Sequence, residues 1–249
     1  RGAVMNFWPW LHPVLALVLA PLLFGLINRV KARVAGRRGQ PLLQPYHDLG
    51  KLMRKGAVYS RTTTWVFRAG PAVGLAALAT ALLLLPLGGG TAAVAFPGDL
   101  LLLVYLLGLA RFFTILAALD TGSAFEGMGA SREAQFALFA EPALLLGLAV
   151  LVRLTGSLSL SGMLRGFPEE MTGTTLPAIL LTAMALFAVL LTECSRIPVD
   201  DPNTHLELTM IHEVMVLDHG GVDFGFIQYA AALKMWLLAA LLVGILLPF

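Results

Sequence analysis

Four ionisable side chains, Arg111, Glu141, Glu193 and Lys234, fall inside or at the end of long apolar runs, and Asp120 closes the run that holds Arg111. Charges in such places are costly and ordinarily face a polar cavity, an opposite charge or a partner. Glu141 is the clearest case. It lies near the middle of its run, Pro142 follows it, and no basic residue stands within a helical turn. That setting suits a carboxyl that takes up and releases a proton, with Arg111 or Lys234 as countercharge or relay neighbour. A protonated, hydrogen-bonded structural acid is the plainer alternative. Glu193 and Arg196 stand three residues apart, which puts them on one face if the helix continues and makes an ordinary ion pair at the membrane edge the plain alternative. Arg153 can snorkel and carries little information.

A second cluster follows. Residues 195–225 hold Asp200, Asp201, Glu207, Glu213, Asp218 and Asp223 against Arg196 alone, with His205, His212 and His219 among them. Three readings stay open. Thr204 to Glu207 after Pro202 has the form of a capping box. The histidines, seven apart, would serve as metal ligands only poorly, since that spacing is wide and no His-Glu-x-x-His occurs. The favoured reading is a polar chamber leading towards Glu193 and Glu141, its imidazoles titrating near neutrality.

These residues need a scaffold, and composition names it. The chain has 249 residues, 58% hydrophobic and only 13% charged, against about 25% charge in ordinary soluble domains. Mean hydropathy is +0.82. That excludes a soluble enzyme, a disordered tail and a nucleic-acid binder, and predicts an all-α, polytopic bundle of transmembrane helices in one integral membrane domain over 1–249. Six runs reach the length of about 20 residues that a span needs: 6–28, 65–87, 98–119, 133–153, 175–194 and 226–248. Ten of the seventeen lysines and arginines lie between Arg29 and Arg68. The excess of positive charge makes that first loop cytoplasmic, and with it the loops 29–64, 120–132 and 195–225. Within the first loop, Leu42, Leu43, Leu49, Leu52 and Met53 alternate with polar residues at helical spacing, so an amphipathic segment is expected at the interface. It reads either as a stretch touching lipid headgroups or as a docking surface for a peripheral subunit, with Arg37, Arg38, Gln44, Asp48 and Lys51 as the contact residues. Met5 is the expected natural start, without a cleaved leader. One cysteine, Cys194, can make no internal disulfide and no cysteine-rich cluster or zinc site, so no metal and no cofactor is expected on this chain.

Three sets of residues together are similar to a known family. They are Arg37 to Leu52; Arg111-Phe112-Phe113 through Asp120-Thr121-Gly122-Ser123 to Ser131-Arg132-Glu133 and Ala140-Glu141-Pro142; and Glu193-x-x-Arg196-x-Pro198-x-Asp200-x-Pro202 with Glu207. They resemble the membrane subunit shared by respiratory complex I and the energy-converting [NiFe] hydrogenases, formate hydrogenlyase among them, and the middle set resembles the hydrogenase branch more. The resemblance implies a subunit of a bacterial or archaeal plasma membrane complex that anchors a peripheral redox arm. Its partners would be hydrogenase-like large and small subunits with an iron–sulfur protein, antiporter-like membrane subunits and the lipid bilayer. Iron–sulfur clusters and a NiFe centre would sit on those partners. By the same resemblance Glu141, Glu193, Asp200 and Glu207 are channel acids and Arg196 steadies their charge; from their places in or beside the spans Arg111, Asp120 and Lys234 are further candidates for the ion pathway, with His205, His212 and Glu213 as secondary ones, although Glu213 departs from the family's usual register. Asn203 and His205 stand where the complex I pattern carries acids, which weakens a quinone site. The family commonly has eight spans, so the final helices are expected to be absent from this sequence. The rivals are a quinone-site subunit and a stand-alone secondary transporter.

Overall fold

A computed structural model describes residues 7–166, 173, 175–200 and 210–247. Among them there are helices and connecting turns but no strand. Six helices are long and apolar enough to cross a bilayer: α1 (Trp8–Val34), α3 (Trp65–Leu82), α4 (Asp99–Asp120), α5 (Ala124–Thr155), α7 (Thr175–Glu193) and α9 (Gly221–Leu246). Three short helices join them: α2 (Gln44–Leu52), α6 (Leu160–Arg165) and α8 (His212–Met215). The protein is thus a multi-pass membrane protein, as its hydropathy predicts. Helices are the forced solution, because lipid offers no partner to an open backbone.

The spans differ from expectation chiefly at the end of the bundle that carries the basic loop. Helix α5 starts at Ala124 rather than 133, so most of the expected loop 120–132 is helical. Its 32 residues at about 1.5 Å each run about 48 Å, well beyond the roughly 30 Å of hydrocarbon. Helix α9 likewise begins at Gly221 rather than 226. Both extensions carry polar residues, which a hydropathy window discards although they continue the helix.

The core lies where α3, α4 and α9 meet, around Leu78, Leu82, Leu103, Leu107, Leu233 and Leu237. Asp120 closes the α3–α4 pair. Its carboxylate accepts from the Thr64 N–H (2.6 Å), the Thr64 hydroxyl (3.0 Å) and the Phe67 N–H (3.3 Å), so it caps the start of α3, where the helix dipole favours an anion. At the opposite end the fully buried Asp99 accepts from the Leu160 N–H (2.7 Å) and the Ser159 hydroxyl (2.8 Å), fixing the start of α6 to the start of α4. Close backbone approach dictates two glycines. A Cβ on Gly25 of α1 would collide with the Leu42 carbonyl. Gly221, at φ 55°, lies against the backbone of Lys55 and Gly56, at 2.6–2.7 Å from its would-be Cβ. These contacts hold the segment around α2 down against α1 and the start of α9.

Candidate functional site

Arg111 of α4 is the centre of the charged residues within the spans. It is 7% exposed, and its fork reaches three carboxylates. Nε donates to Glu133 at 3.1 Å, Nη1 donates to Glu141 and Nη2 donates to Glu193. Lys234 of α9 approaches the other oxygen of Glu193 at 3.8 Å. Four helices therefore converge: α4 supplies the guanidinium, α5 Glu133 and Glu141, α7 Glu193, and α9 the ammonium. A planar guanidinium with five N–H donors in fixed geometry suits such a three-way junction; an ammonium would not span it. With every group ionised, three carboxylates face two cations, so the cluster carries one net negative charge and one added proton neutralises it. Oε2 of Glu193 is buried and has no hydrogen bond, facing the Lys234 ammonium across 3.8 Å.

Glu141 occupies a different position from its neighbours. Its side chain is 44% exposed, whereas those of Glu193 and Arg111 are almost completely buried. Leu138 and Phe139 on the preceding turn of α5 are exposed with it, as are Tyr105 and Phe112 of α4. A carboxylate half exposed on so apolar a surface, near the middle of a span, is costly in lipid alone.

Beside Glu193 opens a cavity of about 830 Å³. Pro21, Phe24 and Leu49 form apolar walls, and Glu193, Arg196, Asp200, His212, Glu213 and Lys234 the polar ones. A second space of about 60 Å³ is bounded by Gly70, Gly74, Arg111, Glu133 and Lys234. His212, His219 and Lys234 border both. The sequence-predicted Arg111, Glu141, Glu193 and Lys234 thus come together, and the large cavity reaches Glu193 and Lys234.

Other expectations fall elsewhere. Arg196 makes no ion pair with Glu193 among the described residues: α7 ends at Glu193, Ser195 turns into the left-handed region at φ 47°, and the guanidinium stacks over Phe24 at 4.7 Å. Its Nε is buried without a hydrogen bond. Asp120 caps α3 and makes no bond within the cluster. Asp200 lines the cavity, yet its oxygens are engaged by the N–H groups of His212 (3.0 Å) and Ile211 (3.3 Å) at the start of α8. Both described imidazoles of residues 195–225, those of His212 and His219, are shifted below their ordinary value. Burial, with Lys234 and Arg196 adding to it, pushes His212 down to about 4. Burial also lowers His219, which stacks on Phe67 at 3.9 Å between ring centres. Among the described residues no group of three histidine, cysteine or acidic side chains is placed to hold a metal. Glu207 and His205, with Asp201, lie outside the described residues. Of the docking candidates, Gln44 donates to Asp48 (2.8 Å) and Lys51 sits 3.9 Å from the same carboxylate, while Arg37 and Arg38 are exposed.

Sequence reasoning missed two acids. Glu133 stands at the boundary of its expected span, where an acid looks like loop; its spacing of eight from Glu141 on one helix was the available signal. Glu126, 1% exposed in the first turn of α5, accepts from the Asp218 N–H at 3.1 Å.

Comparison with known proteins agrees with this architecture. The NADH dehydrogenase family model matches residues 10–248. Formate hydrogenlyase subunit 4 of Escherichia coli (strain K12) is 32% identical over 97% of this chain and 77% of its own. Hydrogenase-4 component C of the same organism is 34% identical over 95% and 73%. Among solved structures, a chain of the archaeal membrane-bound sulfane sulfur reductase, a respiratory membrane complex, superposes with a TM-score of 0.79 at 24% identity, covering 97% of this chain and 78% of that one, and so shares its fold. The six-span scaffold and these relatives agree: the chain belongs to the NADH dehydrogenase family of membrane subunits.

Proposed function

We propose that this chain is the membrane subunit of a complex I-related, hydrogenase-type complex, where it anchors a peripheral redox arm and passes ions, protons first among them, through the Arg111 cluster. The observation that carries this reading is the shared guanidinium: Glu133, Glu141 and Glu193 compete for Arg111, so protonating one redistributes its hydrogen bonds among the others. The cavity supplies one end of the route, and the half-exposed Glu141 the other. Glu141 would hand the ion to a neighbouring antiporter-like membrane subunit, whose contact also removes that carboxylate from lipid. His212, neutral at physiological pH, and Lys234 stand between cavity and cluster as intermediate stations. Iron–sulfur clusters and a NiFe centre belong to the peripheral partners, which would meet Arg37, Arg38 and helix α2. With ten basic residues between Arg29 and Arg68, this end faces the cytoplasm and the whole resides in the plasma membrane. Asp120 and Asp200, satisfied by backbone donors, hold helices rather than carry ions.

The test uses the intact complex in sealed vesicles. Glu141→Gln and Glu193→Gln are expected to leave assembly and hydrogenase activity with an artificial donor in place while reducing ion translocation per turnover about tenfold or more, the effect expected on removing a proton-carrying group. Unchanged translocation in both variants defeats the reading. One observation favours a quinone-site subunit instead: the 830 Å³ cavity has an apolar flank beside its acids. Displacement of a quinone analogue by substitutions at Phe24 or Leu49 would select that reading.

A further inference from the structure

Proline has no N–H, and its ring pushes away the carbonyl four residues earlier. Pro21 therefore leaves the Leu17 carbonyl of α1 without its helical donor, on a face where Leu17 and Val18 are 42% and 58% exposed. In hydrocarbon an unpaired carbonyl costs several kcal/mol. Two tyrosines from different elements reach α1 here, one at the break and one at the carbonyl beside it. The Tyr229 hydroxyl of α9 donates to Leu17 O at 2.6 Å, and the Tyr46 hydroxyl of α2 donates to the adjacent Val18 O. Each hydroxyl arrives beside a cavity wall: Pro45 precedes Tyr46, Gln228 precedes Tyr229, and Pro21 itself lines the same space. Gly25, one turn further along α1, lets the Leu42 backbone approach so that α2 can reach this depth.

We infer that Tyr46 and Tyr229 are positioning residues: Tyr229 fastens α9 to the carbonyl that Pro21 opens, Tyr46 fastens α2 to the carbonyl beside it, and together they fix three of the walls of the large cavity. The clasp ties α2, the helix at the proposed docking surface, to the space in front of Glu193. It stands whether or not the Arg111 cluster carries ions, and its test involves no turnover.

Cys194, the chain's single cysteine, lines this cavity and reports on its walls. In the assembled complex, maleimide modification of Cys194 is followed by mass spectrometry of this chain. Tyr46→Phe and Tyr229→Phe are each expected to speed modification about fivefold, the factor matching one typical hydrogen bond. Pro21→Ala restores the missing N–H; in that background Tyr229→Phe is expected to change the rate by less than about twofold, since the Leu17 carbonyl then has a helical donor, whereas Tyr46→Phe, whose partner Val18 lies four residues before Leu22 and not Pro21, keeps its effect. Rates equal to wild type in the single variants overturn the inference. So does equal acceleration by Tyr229→Phe in both backgrounds, which would mean that this hydroxyl acts independently of Pro21. If Tyr229→Phe fails to assemble, recovery of assembly by Pro21→Ala supports the clasp, and failure in both backgrounds overturns it.

Discussion

Asp99 and Glu193 are both buried acids at the ends of spans, and they solve burial in opposite ways. Asp99 is 0% exposed and takes neutral donors, the Leu160 N–H, the Ser159 hydroxyl and, at 3.4 Å, the Phe96 N–H. Its donors come from a single neighbourhood and have no other use, so the carboxylate is held in one state. Glu193, 3% exposed, takes a cation that two other carboxylates also claim. Its second oxygen faces an ammonium at 3.8 Å without a hydrogen bond. A carboxylate saturated by neutral donors fixes structure; one sharing its cation has alternatives within reach.

The largest effect should come from removing what the acids share. Arg111→Met leaves three carboxylates facing Lys234 alone, and breaking a buried pair costs about 3–5 kcal/mol. Loss of the assembled complex is expected, measured as the amount that stays intact after detergent extraction; full recovery of stable complex would mean that the carboxylates are not held as charges by this guanidinium. Asp99→Asn sharpens the contrast from the other side. One oxygen that accepts hydrogen bonds becomes a donor facing donors, at a cost of about 1–3 kcal/mol. The melting temperature should fall while ion translocation per turnover stays at the wild-type value, the reverse of what Glu193→Gln should do. A drop in translocation would erase the distinction between the two acids.

The smallest effect concerns His212. Its folded-state pKa, about 4, lies below the ordinary 6.5, so between these values the unfolded chain binds the extra proton and the folded one does not. Stability is therefore fully present above about 6.5 and declines as pH falls towards 4. His212→Asn should flatten that acid limb in melting curves collected across the range; an unaltered slope would put the imidazole's proton elsewhere.

The sequence makes the spans and most of the cluster legible for one reason. Lipid punishes charge, so Arg111, Glu141, Glu193 and Lys234 stand out against apolar neighbours. Glu133 escapes the same filter because it begins its apolar run, although the helix runs past it to Ala124. The acids at 120 and 200 illustrate the opposite case. Their partners are backbone N–H groups, at Thr64 and Phe67 for Asp120 and at Ile211 and His212 for Asp200. Such donors exist only after the chain has folded back, and no side-chain pattern announces them. For Arg196, spacing implies a pair with Glu193, but the pair depends on a helix that stops at Glu193 itself. The tyrosines at 46 and 229 look unremarkable until Pro21 is placed between them.

Asp120 has a consequence for how the molecule is made. By tying the last residue of α4 to the first turn of α3, it turns the two helices into a hairpin whose mouth is already closed. Such a hairpin can leave the insertion machinery as a unit, its exposed N–H groups covered before α9 has been synthesised. A newly made chain would then receive its remaining helices on a seed already seated in the bilayer.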